Sequence, residues 1–256
     1  MGTFEDQRLY NPEFIQENRL APRATVIPSH HKGVFYKNRL ESELILDLNG
    51  DYRFCWREKD DIKDFYRSDY DDKEWDILPV PSMWQYHGYS EPLYPNVRYP
   101  IPFVPPYVGN YNPVGYYRKV FKTSKGGRKI LYFGGVDCAF FVYLNGEYVG
   151  FSKGSRMPAE FDVTEIICEG ENLLAVKVFT YSDGTYLENQ DMLLASGIFR
   201  DVMLYNLNGT YIWDYHIKAK GDSIYADINL GGNILSDASV RVSVDDRSEK
   251  IGYKIR

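Results

Sequence analysis

The chain has 256 residues but only three cysteines and four histidines. Cys55, Cys138 and Cys168 are odd in number and widely spaced, unlike a disulfide framework or a zinc knuckle. They read as reduced structural thiols of a cytoplasmic protein. His30 and His31 are adjacent while His87 and His216 stand alone, so no metal-ligand spacing appears. A cluster or stripe of Lys and Arg is also missing. The 30 basic residues are scattered among 36 acidic ones for a net charge of −6, which argues against a nucleic-acid or anionic-membrane partner. No window approaches the roughly 18 apolar residues of a membrane span. Met1 to Phe14 lacks the apolar stretch of a signal peptide. No phosphate-cradling glycine loop is seen, and a Ser-His-Asp nucleophile is not expected.

What the chain does have is tyrosine: 23 residues, within an aromatic content of 16%. Aromatic rings fit a pleated, half-buried surface, so strands alone account for many of them. Flat rings also stack on the apolar face of a pyranose, which makes sugar recognition the sharper reading. Residues 1–40 show no sustained period and contain Pro12, Pro22 and Pro28, as suits an extended arm lying on something else. From Glu43 the period becomes two. Glu43 to Leu48, the turn signal Asn49-Gly50 and Tyr52 to Trp56 predict a hairpin, because Asn-Gly tolerates the positive φ of a tight turn. Asp60 to Trp75 is acidic and polar and reads as loop with one helical turn at most.

Most of the prolines crowd between Pro79 and Pro113, interleaved with Trp84, Tyr86, Tyr89, Tyr94, Tyr99 and Tyr107. Proline removes a donor and fixes φ, so this stretch is expected to be neither sheet interior nor helix. A long, rigid, aromatic loop on the surface is a candidate binding rim. After Gly115 short strands dominate, with a second Asn-Gly turn at Asn145-Gly146. The predicted class is all-β, a jelly-roll or sandwich. A boundary near Asn206 to Gly209 separates three further strands, Tyr211 to Lys218, Ser223 to Leu230 and Ala238 to Val244. An immunoglobulin-like sandwich takes about 100 residues. Residues 209–256 therefore read as the truncated start of one, poorly packed and with unpaired strand edges. The organisation is then an arm over 1–40, a jelly roll over 41–208 and an incomplete sandwich over 209–256.

Cleaving a glycosidic bond usually takes two flanking carboxyl groups. Glu188 and Asp191 are the most suggestive pair, though a solvated polar loop explains them as well. The catalytic constellation of a hydrolase is otherwise absent.

Several motifs, in order, resemble the amino-terminal domain of bacterial β-galactosidases of glycoside hydrolase family 2. They are Pro81 to Tyr89, Tyr94 to Ile101, Phe133 to Asp137, Leu144 to Gly146, Gly150 to Asp162, and Ser182 to Met192 continuing from Ser196 to Val202. The resemblance runs from about Asn11 to Val202. It implies a galactose-binding-like jelly roll, an immunoglobulin-like domain and then a (β/α)₈ barrel that carries both catalytic glutamates. Such a barrel needs about 250 further residues, so no catalytic residue is expected in this chain. Alone it should be inactive, as the amino-terminal part of an enzyme that hydrolyses terminal β-galactosides with retention. A stand-alone galactoside-binding module and an assembly subunit of a split enzyme are the alternatives.

By the same resemblance Asn96 hydrogen-bonds the galactosyl unit, and Asp191 contacts a galactose hydroxyl while helping to hold a Na⁺ ion shared with the barrel. Both residue types suit the task, since hydroxyls need donors and acceptors and a carboxylate is a hard ligand. Trp84, Tyr94 and Tyr99 are candidates either to line the pocket or to pack under the loop. Family members also bind Mg²⁺, in the barrel and in this domain. Here Asp183 and Asn11 match the domain site, but Arg8 and Lys153 stand at two ligand positions, so no Mg²⁺ is expected at Asp183. The partners implied are galactosides, the remainder of the enzyme and, in the full enzyme, further copies of it.

Overall fold

The structure is a computed structural model and describes residues 3–31, 36–95, 98–234, 239–244 and 247–251. Its regular secondary structure is mostly strand, as the period-two patterning predicts. In chain order they are β1 (Gln16–Glu17), β2 (Ile45–Asp47), β3 (Gly50–Arg57), β4 (Asp76–Val80), β5 (Val114–Thr123) and β6 (Arg128–Phe133). Next come β7 (Val136–Asp137), β8 (Ala139–Leu144), β9 (Glu147–Lys153), β10 (Ala159–Asp162), β11 (Gly170–Phe179) and β12 (Gly197–Ile198). The last are β13 (Val202–Leu207), β14 (Thr210–Lys220), β15 (Ser223–Gly232), β16 (Val240–Val244) and β17 (Arg247–Ile251). Among the described residues helix is limited to α1 (Asp6–Leu9), α2 (Thr185–Glu188) and single 3₁₀ turns at Arg39–Glu41 and Trp84–His87. Among the described residues no helix is long and apolar enough to cross a membrane.

Seven strands form an antiparallel sheet in the order β1-β9-β8-β11-β5-β3-β4, and four form a second in the order β10-β6-β13-β2. Side-chain alternation explains how they stack. From β8, Phe140, Val142 and Leu144 join Leu131, Phe133, Val202 and Leu204 of the smaller sheet in the main core. The intervening Ala139, Phe141 and Tyr143 fall on the opposite face, in a second cluster with Tyr116 and Phe179. The central strands are therefore apolar on both faces, and each face needs a cover.

The smaller sheet covers one face. The arm and the acidic loop cover the other, through Leu9, Phe65 and Trp75. Two buried cations on that face fasten the cover. Arg118 on β5 reaches Asp72 at 2.7 Å, and Lys177 on β11 reaches Glu5 at 2.6 Å and Asp60 at 2.8 Å. The loop over 60–75 contains no helical turn. Its acidity supplies counter-charge to cations buried in the sheet.

Two expectations change. Asn49-Gly50 does not close a hairpin, because β2 pairs with β13 in the smaller sheet while β3 pairs with β4 and β5 in the larger one. The turn carries the chain between layers: the Asn49 side chain donates through Nδ2 to Asp201 Oδ1 and accepts through Oδ1 from the Val202 N–H. Burial of Leu44, Ile45 and Leu48 against the core outweighs the local turn preference. Asn145-Gly146, in contrast, does close the β8–β9 hairpin, with φ of 54° and 88°. Pro79 lies inside β4, which is tolerated because β4 is an edge strand.

Beyond Leu207 the chain forms the ribbons β14–β15 and β16–β17, each paired only within itself among the described residues. Tyr211 and Trp213 pack on the β6–β13 face, whereas Ile217, Ile224 and Tyr225 are exposed.

Gly115 sits where β5 passes under the Trp84 indole, and a Cβ there would come within 2.7 Å of Trp84 and 2.9 Å of Phe54. Gly115→Ala should therefore destabilise the protein by about 1–3 kcal/mol through overpacking, read as a lower urea midpoint with an unchanged slope.

Candidate functional site

The proline-rich segment and the segment that ends in β12 run side by side. Ser82 N–H donates to Ile198 O at 2.8 Å, Trp84 N–H to Ser196 O at 3.1 Å, and Leu93 and Leu194 exchange both backbone bonds at 3.1 and 2.7 Å. The Gln85 carboxamide oxygen accepts from Ser196 N–H at 2.8 Å. This pairing brings two distant loops to a single rim, where the Tyr94 hydroxyl donates to the Asp191 carboxylate across 97 positions of chain. Asp191 is exposed and Tyr94 is 56% exposed.

The aromatic residues separate into two groups. The Trp84 ring is fully buried and stacked on Phe54 at 6.1 Å, so of its two readings the structure shows packing under the loop and no surface for a ligand. Its place follows from the Ser196 pairing and from the bare backbone of Gly115 beneath it. Tyr99 stays at the surface, donating to Tyr186 O at 3.1 Å and stacking on Phe103 at 5.3 Å. Tyr186, in α2, extends this patch, and its hydroxyl lies 2.6 Å from both Pro102 O and Tyr107 O. The sequence reading did not single out Phe103 or Tyr186 for this rim; the dense aromatic spacing of 94–107 was the available signal. Asn96 lies outside the described residues. His87 is exposed.

The loop that carries Asp191 is held by the turn after β9. Lys153 pairs with Asp183 at 2.6 Å, Ser155 N–H donates to Glu188 at 3.0 Å and its hydroxyl at 2.5 Å, and Arg156 donates to Met192 Sδ at 3.4 Å. Glu188, the other carboxylate of the suggestive pair, is thus engaged as an anchor. Gly150-Phe151-Ser152-Lys153-Gly154 spells a Gly-x-Ser-x-Gly string, contrary to the expectation that no serine nucleophile signature exists. Yet Ser152 lies in β9, is 2% exposed and is hydrogen-bonded by Arg19 at 2.9 Å. It stands in a strand, whereas a nucleophile elbow requires a strand-to-helix turn.

Behind the rim lies a cavity of about 330 Å³ lined by Gln85, Asp137, Cys138, Arg156, Glu188 and Asn189 among others. Burial pushes the Asp137 carboxyl up to about 6; contact with the Arg156 guanidinium opposes this and the Glu188 charge adds to it. Burial wins because Asp137 is 6% exposed while the Arg156 side chain keeps 37% of its surface in water. Among the described residues no three His, Cys, Asp or Glu side chains converge as metal ligands. The three cysteines are free.

Residues 45–208 match the family model described as the sugar binding domain of glycosyl hydrolases family 2. A β-galactosidase of Priestia megaterium is 40% identical over 88% of this chain and 23% of its own length. One of Vibrio cholerae is 43% identical over 90% of this chain and 23% of its own length. The chain thus spans less than a quarter of these curated relatives. Among solved structures, a β-glucuronidase from an uncultured Clostridium species superposes with a TM-score of 0.54 at 21% identity, covering 81% of this chain and 38% of the other. A β-glucuronidase from glycoside hydrolase family 2 gives 0.56 at 21% identity, covering 73% of this chain and 22% of its own. At such identities the likeness is one of fold.

Asp137 gives a measurable signature. With a native value above the ordinary carboxylate value, the folded state binds more protons than the unfolded chain between about pH 4 and 6. Its contribution to stability is full below about pH 4 and is lost as pH rises through 6. Relative to Asp137→Asn, the wild type should lose roughly 3 kcal/mol of stability between pH 4 and 7, measured by urea unfolding of both proteins across that range.

Proposed function

Because the chain belongs to glycosyl hydrolase family 2 through its sugar-binding domain, we propose that it is the amino-terminal part of a β-galactosidase and forms one wall of the galactoside pocket. The observation that carries this reading is the Tyr94–Asp191 contact. It presents a carboxylate and an aromatic ring together, exposed, at the end of an antiparallel pairing between the two loops. A charged acceptor beside a flat ring meets the two demands of a pyranose, whose hydroxyls need partners and whose apolar face needs a surface.

In the proposed enzyme Asp191 accepts from a galactose hydroxyl and Asn96 donates to another. Tyr94 fixes the orientation of the carboxylate, and Tyr99 and Phe103 border the opening. A Na⁺ at Asp191, completed by ligands from the rest of the enzyme, would neutralise the carboxylate. The two carboxyl groups that cleave the bond with retention belong to a barrel beyond these residues, so the chain alone should not turn over substrate. We assign residues 1–40 to an arm, 41–208 to the jelly roll and 209–256 to the beginning of an immunoglobulin-like domain. The relatives' names support galactosides as ligands and the remainder of the enzyme as partner. Oligomerisation of the full enzyme and a cytoplasmic location belong to the same reading.

In the enzyme that contains this chain, Asp191→Ala should lower kcat/KM for a chromogenic β-galactoside by roughly 10- to 100-fold, the loss of one charge-assisted hydrogen bond. The clean 256-residue chain should show no hydrolysis, and turnover by it would sink the reading. Galactose titration of the isolated chain, followed by nuclear magnetic resonance, separates the alternatives. Saturation in the micromolar range identifies a stand-alone binding module, whereas activity that appears only on mixing with a barrel-containing remainder identifies an assembly subunit.

A further inference from the structure

Asp183 stands at a junction of three segments. Its backbone N–H donates to Leu9 O at 2.9 Å, tying the loop before α2 to the arm. Its Oδ1 lies 2.6 Å from Lys153 Nζ at the end of β9, and the same ammonium donates to Asn11 O at 3.1 Å. The Lys153 and Asp183 side chains are 6% and 7% exposed. The second carboxylate oxygen, Asp183 Oδ2, is buried with no hydrogen-bond partner among the described residues. A groove of about 680 Å³, lined by Pro12, Lys153, Asp183 and Glu188 among others, opens beside the pair. Arg8 is engaged elsewhere, in a two-bond contact with Glu17 at 2.9 Å.

A backbone carbonyl and a carboxylate with a spare buried oxygen form an oxygen-lined cradle of the kind that holds a hard cation. Here the positive charge comes from a side chain. An ammonium is a compact point charge with three donors, and two of them go to the cradle's own oxygens. A divalent ion would have to approach an Asp183 oxygen to about 2.0–2.6 Å, the space that Lys153 Nζ fills at 2.6 Å.

We propose that Lys153 is a tethered cation that takes the place of a metal ion in this cradle. It makes the junction of arm, β9 and the Asp191 loop independent of divalent metal. Replacing it by a side chain with a neutral oxygen turns the cradle into a divalent-cation site. The inference does not depend on whether the rim binds sugar.

The test is thermal unfolding of the wild type and Lys153→Gln in EDTA and in millimolar MgCl₂ or CaCl₂. The wild-type midpoint should be the same in all three. Lys153→Gln should fall by roughly 6 to 12 °C in EDTA, the loss expected when a buried pair is broken in a chain of this size. At least half of that should return with Mg²⁺ or Ca²⁺, and none of it in the double variant Lys153→Gln/Asp183→Asn. The proposal is overturned by a wild type that either ion stabilises, by a variant as stable as the wild type in EDTA, or by a loss that neither ion repairs. If Lys153→Gln does not fold, Mn²⁺ titration of the wild type by electron paramagnetic resonance decides. Tight binding that Asp183→Asn abolishes overturns the proposal, and weak binding insensitive to that change supports it.

Discussion

The architecture depends on one constraint: the central strands of the larger sheet carry apolar side chains on both faces. Phe140, Val142 and Leu144 face the smaller sheet while Ala139, Phe141 and Tyr143 face away from it. Such a sheet cannot leave either face in water, because each exposed side would forfeit the burial that drives folding. One cover is a second sheet of regular strands. The other is irregular chain, the arm and the 60–75 loop, which cannot satisfy its own backbone groups as a strand would. Charged anchors supply part of what is missing: Arg118 bonds the carbonyls of Phe65 and Arg67 as well as the Asp72 carboxylate. Lys177 draws Glu5 and Asp60 onto the same face. Cations inside otherwise apolar strands are tolerable because each is paired as it is buried.

The same logic positions the rim. Asp191 sits on a loop with little regular structure of its own, and its placement comes from neighbours on either side. The proline-rich segment holds one side through backbone pairing down to Leu93 and Leu194. The turn after β9 holds the other through Lys153, Ser155 and Arg156. An irregular loop pinned at this many points holds its carboxylate in place, which is what the proposed recognition of a rigid sugar ring demands.

Much of this was legible in the sequence, and the remainder follows a pattern. The longer strands β5, β6, β8, β9, β11, β13, β14 and β15 are legible because their patterning is local and needs no partner to be recognised. The Asn145-Gly146 turn is legible for the same reason. The Asn49-Gly50 turn is not, since the same dipeptide can link two strands of one sheet or carry the chain between sheets. Only the burial of Leu48 and the contacts of Asn49 to Asp201 and Val202, more than 150 positions away, decide between them. β10 and β4 escape because each is short, and β4 contains a proline. At the site, the motifs around Tyr94 and Asp191 identified the loops, but their side-by-side pairing is a long-range property. The fate of Trp84 turns on Gly115, a residue that a scan for aromatic rims does not weigh. Arg118 and Lys177 do leave a signal, charges standing inside apolar runs, and the acidic loop is the matching half.

The edges of the larger sheet have a further consequence. One edge is closed by β1 of the arm, pairing Gln16 and Glu17 with β9. The other is β4, where Pro79 removes a donor. The β14–β15 ribbon has neither device among the described residues: no further strand pairs with it, and Ile212, Tyr215, Ile217, Ile224 and Tyr225 stand at its surface. Alternating apolar residues on a long strand with an outer edge unpaired by a further strand are a template for self-association. When this chain is handled by itself, colloidal behaviour will be governed by that ribbon, so concentrated solutions should lose material by aggregation there while the jelly roll remains folded.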